Sequence, residues 1–404
     1  MKRNYPFVTV TIKAEKQLRG GHPWVYAEEI AQTDGETVDG GLVDVFSSKM
    51  KYLGTGFFNS SSKIRVRIIS RNVNDKFDRA YYERRIRYAL EYRKTVMGED
   101  FQYCRLIFGE ADCFPGFTVD RFNDVLVTQV LSLGIEKIKD MLYELLVLEL
   151  EKMGEHISAI YERNDVKIRT LEGMEQYKGF WRGLRDDLSG VTEITENGLR
   201  FSVDYINGQK TGFFLDQKYN RAAIRRIANG RTVLDCFTHT GAFALNAAAA
   251  GAKLVNAVDI SADAIEVSKN NARLNGLDNL QFTCANVFDL LTEMYKAGNS
   301  PYDFIILDPP AFTKSKSTVK DAFRGYKEIN LKAMRLLKRG GYLATCSCSH
   351  FMTESLFKQM LHDAAADADV SLRQIEARRQ SPDHPILWNV PETDYLKFYI
   401  FQVV

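Results

Sequence analysis

Four short stretches hold side chains fit for chemistry. Asp235 opens the run Asp235-Cys-Phe-Thr-His-Thr-Gly241, Asp259 stands 24 residues further on, Asp308 leads an Asp-Pro-Pro turn, and Ala344-Thr-Cys346-Ser-Cys348-Ser-His350 gathers two thiols and an imidazole. Each follows an apolar run of strand type, and ligands of open α/β sheets bind beyond the carboxyl ends of the strands. An acid at the Asp259 position can accept hydrogen bonds from both ribose hydroxyls of an adenosine. The loop after Asp235 contains only Gly241, without the Gly-x-Gly-x-x-Gly turn that admits a pyrophosphate, so a dinucleotide fits poorly. Asp235 itself suits a cationic amino-acid head group. S-adenosylmethionine satisfies both conditions.

A thiol beside a methyl donor has one specific use. Carbon 5 of a pyrimidine becomes nucleophilic only after a thiolate adds to carbon 6, and a base then removes the C5 proton so that the thiolate can leave. His350 or Lys314 could assist the thiol, and alternation along a strand puts Cys346 and Cys348 on one face. Each feature also has a plain structural reading. Asp235 and Asp259 can cap helices, Asp-Pro-Pro can simply end a strand, and strand cysteines are usually small core residues.

The elements needed to position these groups are legible. Apolar strands at Thr232 to Leu234, Leu254 to Val258, Leu280 to Thr283, Phe304 to Leu307 and Tyr342 to Thr345 alternate with helical segments, the rhythm of βαβ units. The fold class expected is α/β, a doubly wound, mostly parallel Rossmann-like sheet over residues 191–404. Two further domains precede it. Residues 1–75 read as short strands, Phe7 to Ile12, Gly41 to Phe46 and Tyr52 to Phe58, with Lys63-Ile-Arg-Val-Arg-Ile alternating basic and apolar. Residues 76–190 read as a mixed α/β domain. It starts with a helix from Phe77 to Arg93, continues with strands flanking the Asn123-Asp124 turn and a helix from Ile135 to Met153, and ends with a strand at Ile157 to Tyr161.

Composition narrows the class. The net charge of +2 divides into +5 over residues 1–100 and −3 over the rest, which hints at a phosphate-bearing partner for the N-terminal part, with Arg65, Arg67, Arg84 and Arg85 as a basic face. Six cysteines in 404 residues do not suggest a disulfide framework, and no second cysteine pair or histidine cluster completes a metal site. No stretch approaches the roughly 20 apolar residues that span a bilayer, so a cytoplasmic protein without membrane contact is expected. Trp24 is read as core rather than as a stacking platform.

Together these motifs resemble the PUA-domain RNA cytosine-C5 methyltransferases. The resemblance runs nearly end to end through Gly21-His-Pro-Trp-Val-Tyr26, Phe114-Pro-Gly-Phe-Thr-Val-Asp-Arg121, Gly208-Gln-Lys-Thr-Gly-Phe-Phe-Leu-Asp-Gln217, Leu234-Asp-Cys-Phe237, Asp308-Pro-Pro-Ala-Phe312 and Ser347-Cys-Ser349. It implies an RNA-binding PUA domain, a central domain and a methyltransferase domain using S-adenosylmethionine. It makes Cys348 the nucleophile and sets Asp308 against the target base. Lys210, Thr211, Gly212 and Phe213 would pack on the methionine part, supported by Asp216 and Arg221. Asp235 and Thr238 would meet the amino-acid head, Phe237 would be a further cofactor contact, Gly241 would allow close backbone approach, and Asp259 would hold the ribose. Asn286 stands where relatives tend to carry an acid, and its amide oxygen would take the adenine amino group.

The implied partner is 23S rRNA or a pre-ribosomal particle, and a homodimer is compatible with the resemblance. Two other readings stay open: methylation of a base nitrogen, which would make Cys348 dispensable, and an inactive RNA-binding assembly factor.

Overall fold

A computed structural model describes residues 4–298, 300–313 and 315–404. Lys314 lies outside them. The chain forms two compact units, and neither is one continuous stretch. The first comprises Met1–Ile194, Val203–Leu215 and Pro382–Thr393, and the second comprises Thr195–Ser202, Asp216–Ser381 and Asp394–Val404.

The second unit is built on a seven-stranded sheet: β1 (Thr232–Cys236), β2 (Leu254–Asp259), β3 (Leu280–Cys284), β4 (Phe304–Leu307), β5 (Tyr342–Ser347), β6 (Leu372–Arg378) and β7 (Lys397–Val403). Its order is β3-β2-β1-β4-β5-β7-β6, parallel from β3 through β5 and antiparallel where β7 pairs with β5 and β6. Alternation along the strands feeds two cores. Leu234, Ile305 and Leu307 pack with Tyr326, Phe357 and Tyr399, while Val233, Phe304 and Ile306 pack with Phe243, Phe398 and Ile400. Burial on both faces explains the near-continuous apolar runs of β1 and β4.

The expected mixed α/β class is what the structure has, with β6 and β7 as additions. Neither was legible as a strand. Leu372–Arg378 carries Arg373, Gln374 and Glu376 on an edge, and β7 is reached only after Pro382–Thr393 has returned to the first unit.

The first unit holds a six-stranded sheet in the order Trp24–Tyr26, Ile64–Ser70, Tyr52–Phe58, Leu42–Ser47, Phe7–Val10, Ile30–Asp34. It also holds a five-stranded sheet in the order Tyr177–Phe180, Ala159–Asn164, Val125–Val130, Phe117–Phe122, Arg105–Phe108. One expected strand is cut short. Phe7 to Ile12 is β-branched in sequence, but Thr11 caps a helix over Ile12–Arg19 by accepting from the Ala14 amide at 3.3 Å, so the strand stops at Val10.

Trp24 is anchored rather than offered, since its indole N–H donates to Glu110 at 2.9 Å. The basic face is narrower than the sequence suggests. The Arg67 side chain is 12% exposed and is held by Glu172 at 2.7 Å and Glu110 at 3.5 Å.

Candidate functional site

All five parallel strands bring their carboxyl ends to one edge of the sheet, with Asp235 and Asp259 in the last two positions of their strands and Asp308 and Cys348 directly after theirs. The loop after β1 is tightly wound, with Phe237, His239 and Gly241 at φ of 63°, 51° and 84°. Two non-glycine residues in the left-handed region is a strain that the surroundings must hold in place. They do so through the Thr238 amide on the Val258 carbonyl at 2.9 Å and the His239 amide on Asp259 Oδ2 at 2.9 Å. At Gly241 a Cβ would lie 2.1 Å from Ser268 Oγ, so a side chain has no room there.

Asp235 is fully buried. Its Oδ2 accepts from the Thr238 hydroxyl at 2.6 Å, and its Oδ1 has no partner among the described residues. Burial, with Asp308 and Asp259 adding repulsion, pushes this carboxyl up to about 7. A buried acid with a free oxygen in a cradle of backbone is suited to receive an ammonium, so these residues fit the amino-acid end of S-adenosylmethionine.

Asp259 is half-buried and spends one hydrogen bond per oxygen on backbone, on the His239 and Ser261 amides. Each oxygen keeps further acceptor capacity, which is what a ribose diol would need. Ile260, directly after it, is 70% exposed. Sequence reasoning had passed over this exposed apolar side chain next to Asp259. Asn286 is exposed and caps the helix Val287–Ala297 by accepting from the Phe288 amide at 2.9 Å, which leaves the second lone pair of its oxygen.

Between β4 and β5 the two cysteines part company. Cys346 is fully buried, its thiol donating to Asp308 Oδ1 at 2.8 Å while Gln217 Nε2 approaches its sulfur at 3.4 Å. Burial, with Asp308 beside it, pushes that thiol well above its ordinary value, so it stays protonated. Asp308 is itself raised by burial, and it takes a further hydrogen bond from Gln217 at 3.0 Å. Cys348 lies past the strand end, partly exposed, with its sulfur 4.0 Å from the Pro309 carbonyl oxygen. Of the two thiols, this one can be reached.

Two residues here were given no role from the sequence. Lys397, at the start of β7, is 2% exposed and donates to the Ser349 carbonyl at 2.6 Å and the Tyr395 carbonyl at 2.8 Å. Burial pulls its ammonium down to about 8, with Cys348 acting in the opposite sense. Gln217 joins Asp308 to Asn220, whose Nδ2 donates to Gln217 Oε1 at 2.7 Å. The tail of Gly208–Gln217 gave a signal for Gln217, but nothing local marks Lys397. His350 is half-buried, and its Nδ1 has no partner among the described residues.

Asp216 accepts from the Tyr395 hydroxyl at 2.6 Å, and Arg221 forms a buried bidentate pair with Glu196 at 2.5 and 2.6 Å. The other four expected residues belong to the first unit. There Thr211 donates to Asp120 at 2.6 Å, Phe213 is buried, Gly212 has φ 119°, and the Lys210 ammonium stands 4.6 Å from the Phe214 ring centre. Among the described residues, no group of three or more His, Cys, Asp or Glu side chains is placed to hold a metal, and no helix is long and apolar enough to cross a membrane.

Comparison with known proteins gives the family and the fold. Residues 181–401 match the family model described as S-adenosylmethionine-dependent methyltransferase, and residues 8–71 match that of a PUA-like domain. Ribosomal RNA large subunit methyltransferase I of Pseudoalteromonas translucida is 40% identical over 96% of this chain and 97% of its own length. That of Klebsiella pneumoniae is 38% identical over 99% of both. Among solved structures, "A putative sam-dependent methyltransferase from Streptococcus mutans" superposes with a TM-score of 0.82 at 24% identity, covering 98% of this chain and 99% of that one.

Proposed function

The chain belongs to the S-adenosylmethionine-dependent methyltransferases that carry a PUA-like domain, and from that premise we propose that it methylates carbon 5 of a cytosine in large-subunit ribosomal RNA. The observation that carries the choice of chemistry is the contrast between the two thiols: Cys346 is buried and bonded to Asp308, whereas Cys348 is accessible beside the Asp308-Pro309-Pro310 turn. Residues 1–75 serve as the RNA-binding domain, 76–190 as the central domain and 191–404 as the catalytic domain, in a cytoplasmic protein acting on 23S rRNA or a pre-ribosomal particle.

Bound S-adenosylmethionine supplies an electrophilic methyl group. Asp235 and Thr238 would hold its amino-acid head, the backbone at Gly241 would lie against it, Asp259 would bind the ribose, and Ile260 and Asn286 would bracket the adenine. The Cys348 thiolate adds to C6 of the cytosine, and the electron pair displaced onto C5 makes that carbon the nucleophile. C5 takes the methyl group as its bond to the sulfonium sulfur breaks, leaving S-adenosylhomocysteine; a base then takes the C5 proton, the C5–C6 double bond re-forms, and the Cys348–C6 bond breaks to return the thiolate. Asp308 and the rigid prolines after it would hold the base edge opposite Cys348.

The test is covalent trapping. The protein is incubated with S-adenosylmethionine and bacterial rRNA fragments carrying 5-fluorocytosine, whose fluorine blocks the elimination step. An adduct is expected with wild type and with Cys346→Ala, and none with Cys348→Ala. Methyl transfer without any adduct would overturn C5 chemistry in favour of a base nitrogen, and no transfer at all would leave the inactive RNA-binding factor.

A further inference from the structure

Trp388 is the most exposed large apolar residue described, at 97%, yet the turn that carries it is firmly fixed. Leu387 to Val390 is closed by the Val390 amide on the Leu387 carbonyl at 2.8 Å. The Thr393 hydroxyl ties both ends, accepting from the Leu387 amide at 2.9 Å and donating to the Val390 carbonyl at 2.7 Å. Asn389, at the tip beside Trp388, donates to the Gly21 carbonyl at 2.5 Å. That contact needs glycine, because Gly21 has φ 94° and a Cβ there would come within 2.3 Å of Asn389 Nδ2. A rigid turn that holds an indole almost wholly in water gains nothing from it in the folded chain, since burial is what makes an aromatic side chain stabilising.

The same turn borders a cavity of about 310 Å³ in the first unit, near the lower end of small-ligand sites. Leu387 and Val390 form part of its wall with Pro23 and Ile68, and Arg71, Asn72 and Arg85 supply its polar side. Arg71 is pinned by the Gly21 and His22 carbonyls at 2.6 and 3.1 Å. Arg85 has a buried Nε–H with no acceptor among the described residues. Glu110, the one acid in the lining, already accepts from Trp24 and pairs with Arg67. A preset cationic pocket with an apolar wall, next to an open indole, matches a nucleotide: phosphate on the guanidinium groups, one base in the apolar cleft or stacked on the ring.

We propose that Trp388 and the Arg71–Arg85 pocket form a single-stranded RNA site in the first unit, in which a base stacks on the Trp388 indole and its backbone phosphate lies against the arginines. The proposal rests on the reading of this chain as an RNA methyltransferase, and it adds a substrate-holding site apart from the thiol.

Fluorescence anisotropy of the full-length protein with labelled single-stranded oligoadenylate tests it, because stacking is tolerant of sequence. Trp388→Ala is expected to raise Kd by about fivefold or more, the loss of one stacked base, and Trp388→Phe to stay within about twofold of wild type. Arg71→Gln should lower the slope of log K against log salt by about one, which Trp388→Ala should not. S-adenosylmethionine affinity should be the same in all three. Wild type that forms the 5-fluorocytosine adduct yet has no affinity for the oligonucleotide, or Trp388→Ala that binds as tightly as wild type, overturns the Trp388 site alone. Failure of wild type both to bind RNA and to form the adduct would remove the reading beneath it as well.

Discussion

Buried charge is treated in opposite ways in the two units. In the first, ionic side chains answer one another: fully buried Arg93 holds Asp112 at 2.6 and 2.7 Å, Arg105 holds Asp120 at 2.7 Å through two nitrogens, and Arg169 reaches Glu136 at 3.0 Å. At the sheet edge of the second, Asp235 has one oxygen unmatched and feels repulsion from Asp259 and Asp308. The second unit can build a satisfied pair, as Arg221 and Glu196 show, so the imbalance is local to the edge. Desolvated charge without a partner costs several kcal/mol, and a fold keeps it only where something else compensates. Paired charge marks architecture, and the contrast predicts a ligand where a buried polar atom is left without a partner, at Asp235 in the second unit as at the Arg85 Nε in the first.

The largest effect that could break this contrast lies in the first unit. Arg93→Ala strips Asp112 of its partner and leaves the Arg105 and Asp383 carbonyls without their donor, so about 3–5 kcal/mol of stability should be lost in urea denaturation. A loss below about 1 kcal/mol would show that these pairs do not carry the unit. Asp235→Asn should behave in the reverse manner. Removing a charge that lacks a partner should not lower the unfolding midpoint at pH 8. The cofactor ammonium, however, loses a charge-assisted hydrogen bond, and calorimetry should show S-adenosylmethionine affinity falling by roughly 10- to 150-fold, the 1.5–3 kcal/mol such a bond contributes. Unchanged affinity would mean that Asp235 is an ordinary capping residue.

The same contrast explains what the sequence made legible. Strands β1 to β5 and the acids at their ends stand out because burial on both faces forces continuous apolar runs, against which Asp235, Asp259 and Asp308 are conspicuous. Pairing over long separations leaves no such mark. Arg67 looks like part of a basic stripe until the fold brings Glu172 to it from 105 residues away. Lys397 likewise reads as an ordinary strand residue, and only the β5–β7 register, Ser347 opposite Lys397, sets it by Ser349. Thr11 shows the local limit, where one capping hydroxyl outweighs the β-branched run before it. Trp388 was missed because exposure, unlike hydrophobicity, cannot be read from composition.

The shallowest expected effect, at most about 1.4 kcal/mol over any one pH unit, is a pH dependence, and its sign follows from the direction of the Asp235 shift. The folded protein holds this carboxyl at about 7, whereas an unfolded chain releases the proton near 3.9. Between those values the folded state binds the extra proton, so the stability of the ligand-free protein should fall as pH rises, by at most about 1.4 kcal/mol per pH unit, and level off above about 7. Subtracting the denaturation profile of Asp235→Asn from that of wild type isolates this one group from the other titrating carboxylates. A difference that falls with pH through that window and is abolished by saturating S-adenosylmethionine, whose ammonium would favour the charged carboxylate, identifies Asp235 as the unpaired charge the ligand answers. A flat difference would mean that water already reaches its second oxygen, and the contrast between the two units would then rest on the paired arginines alone.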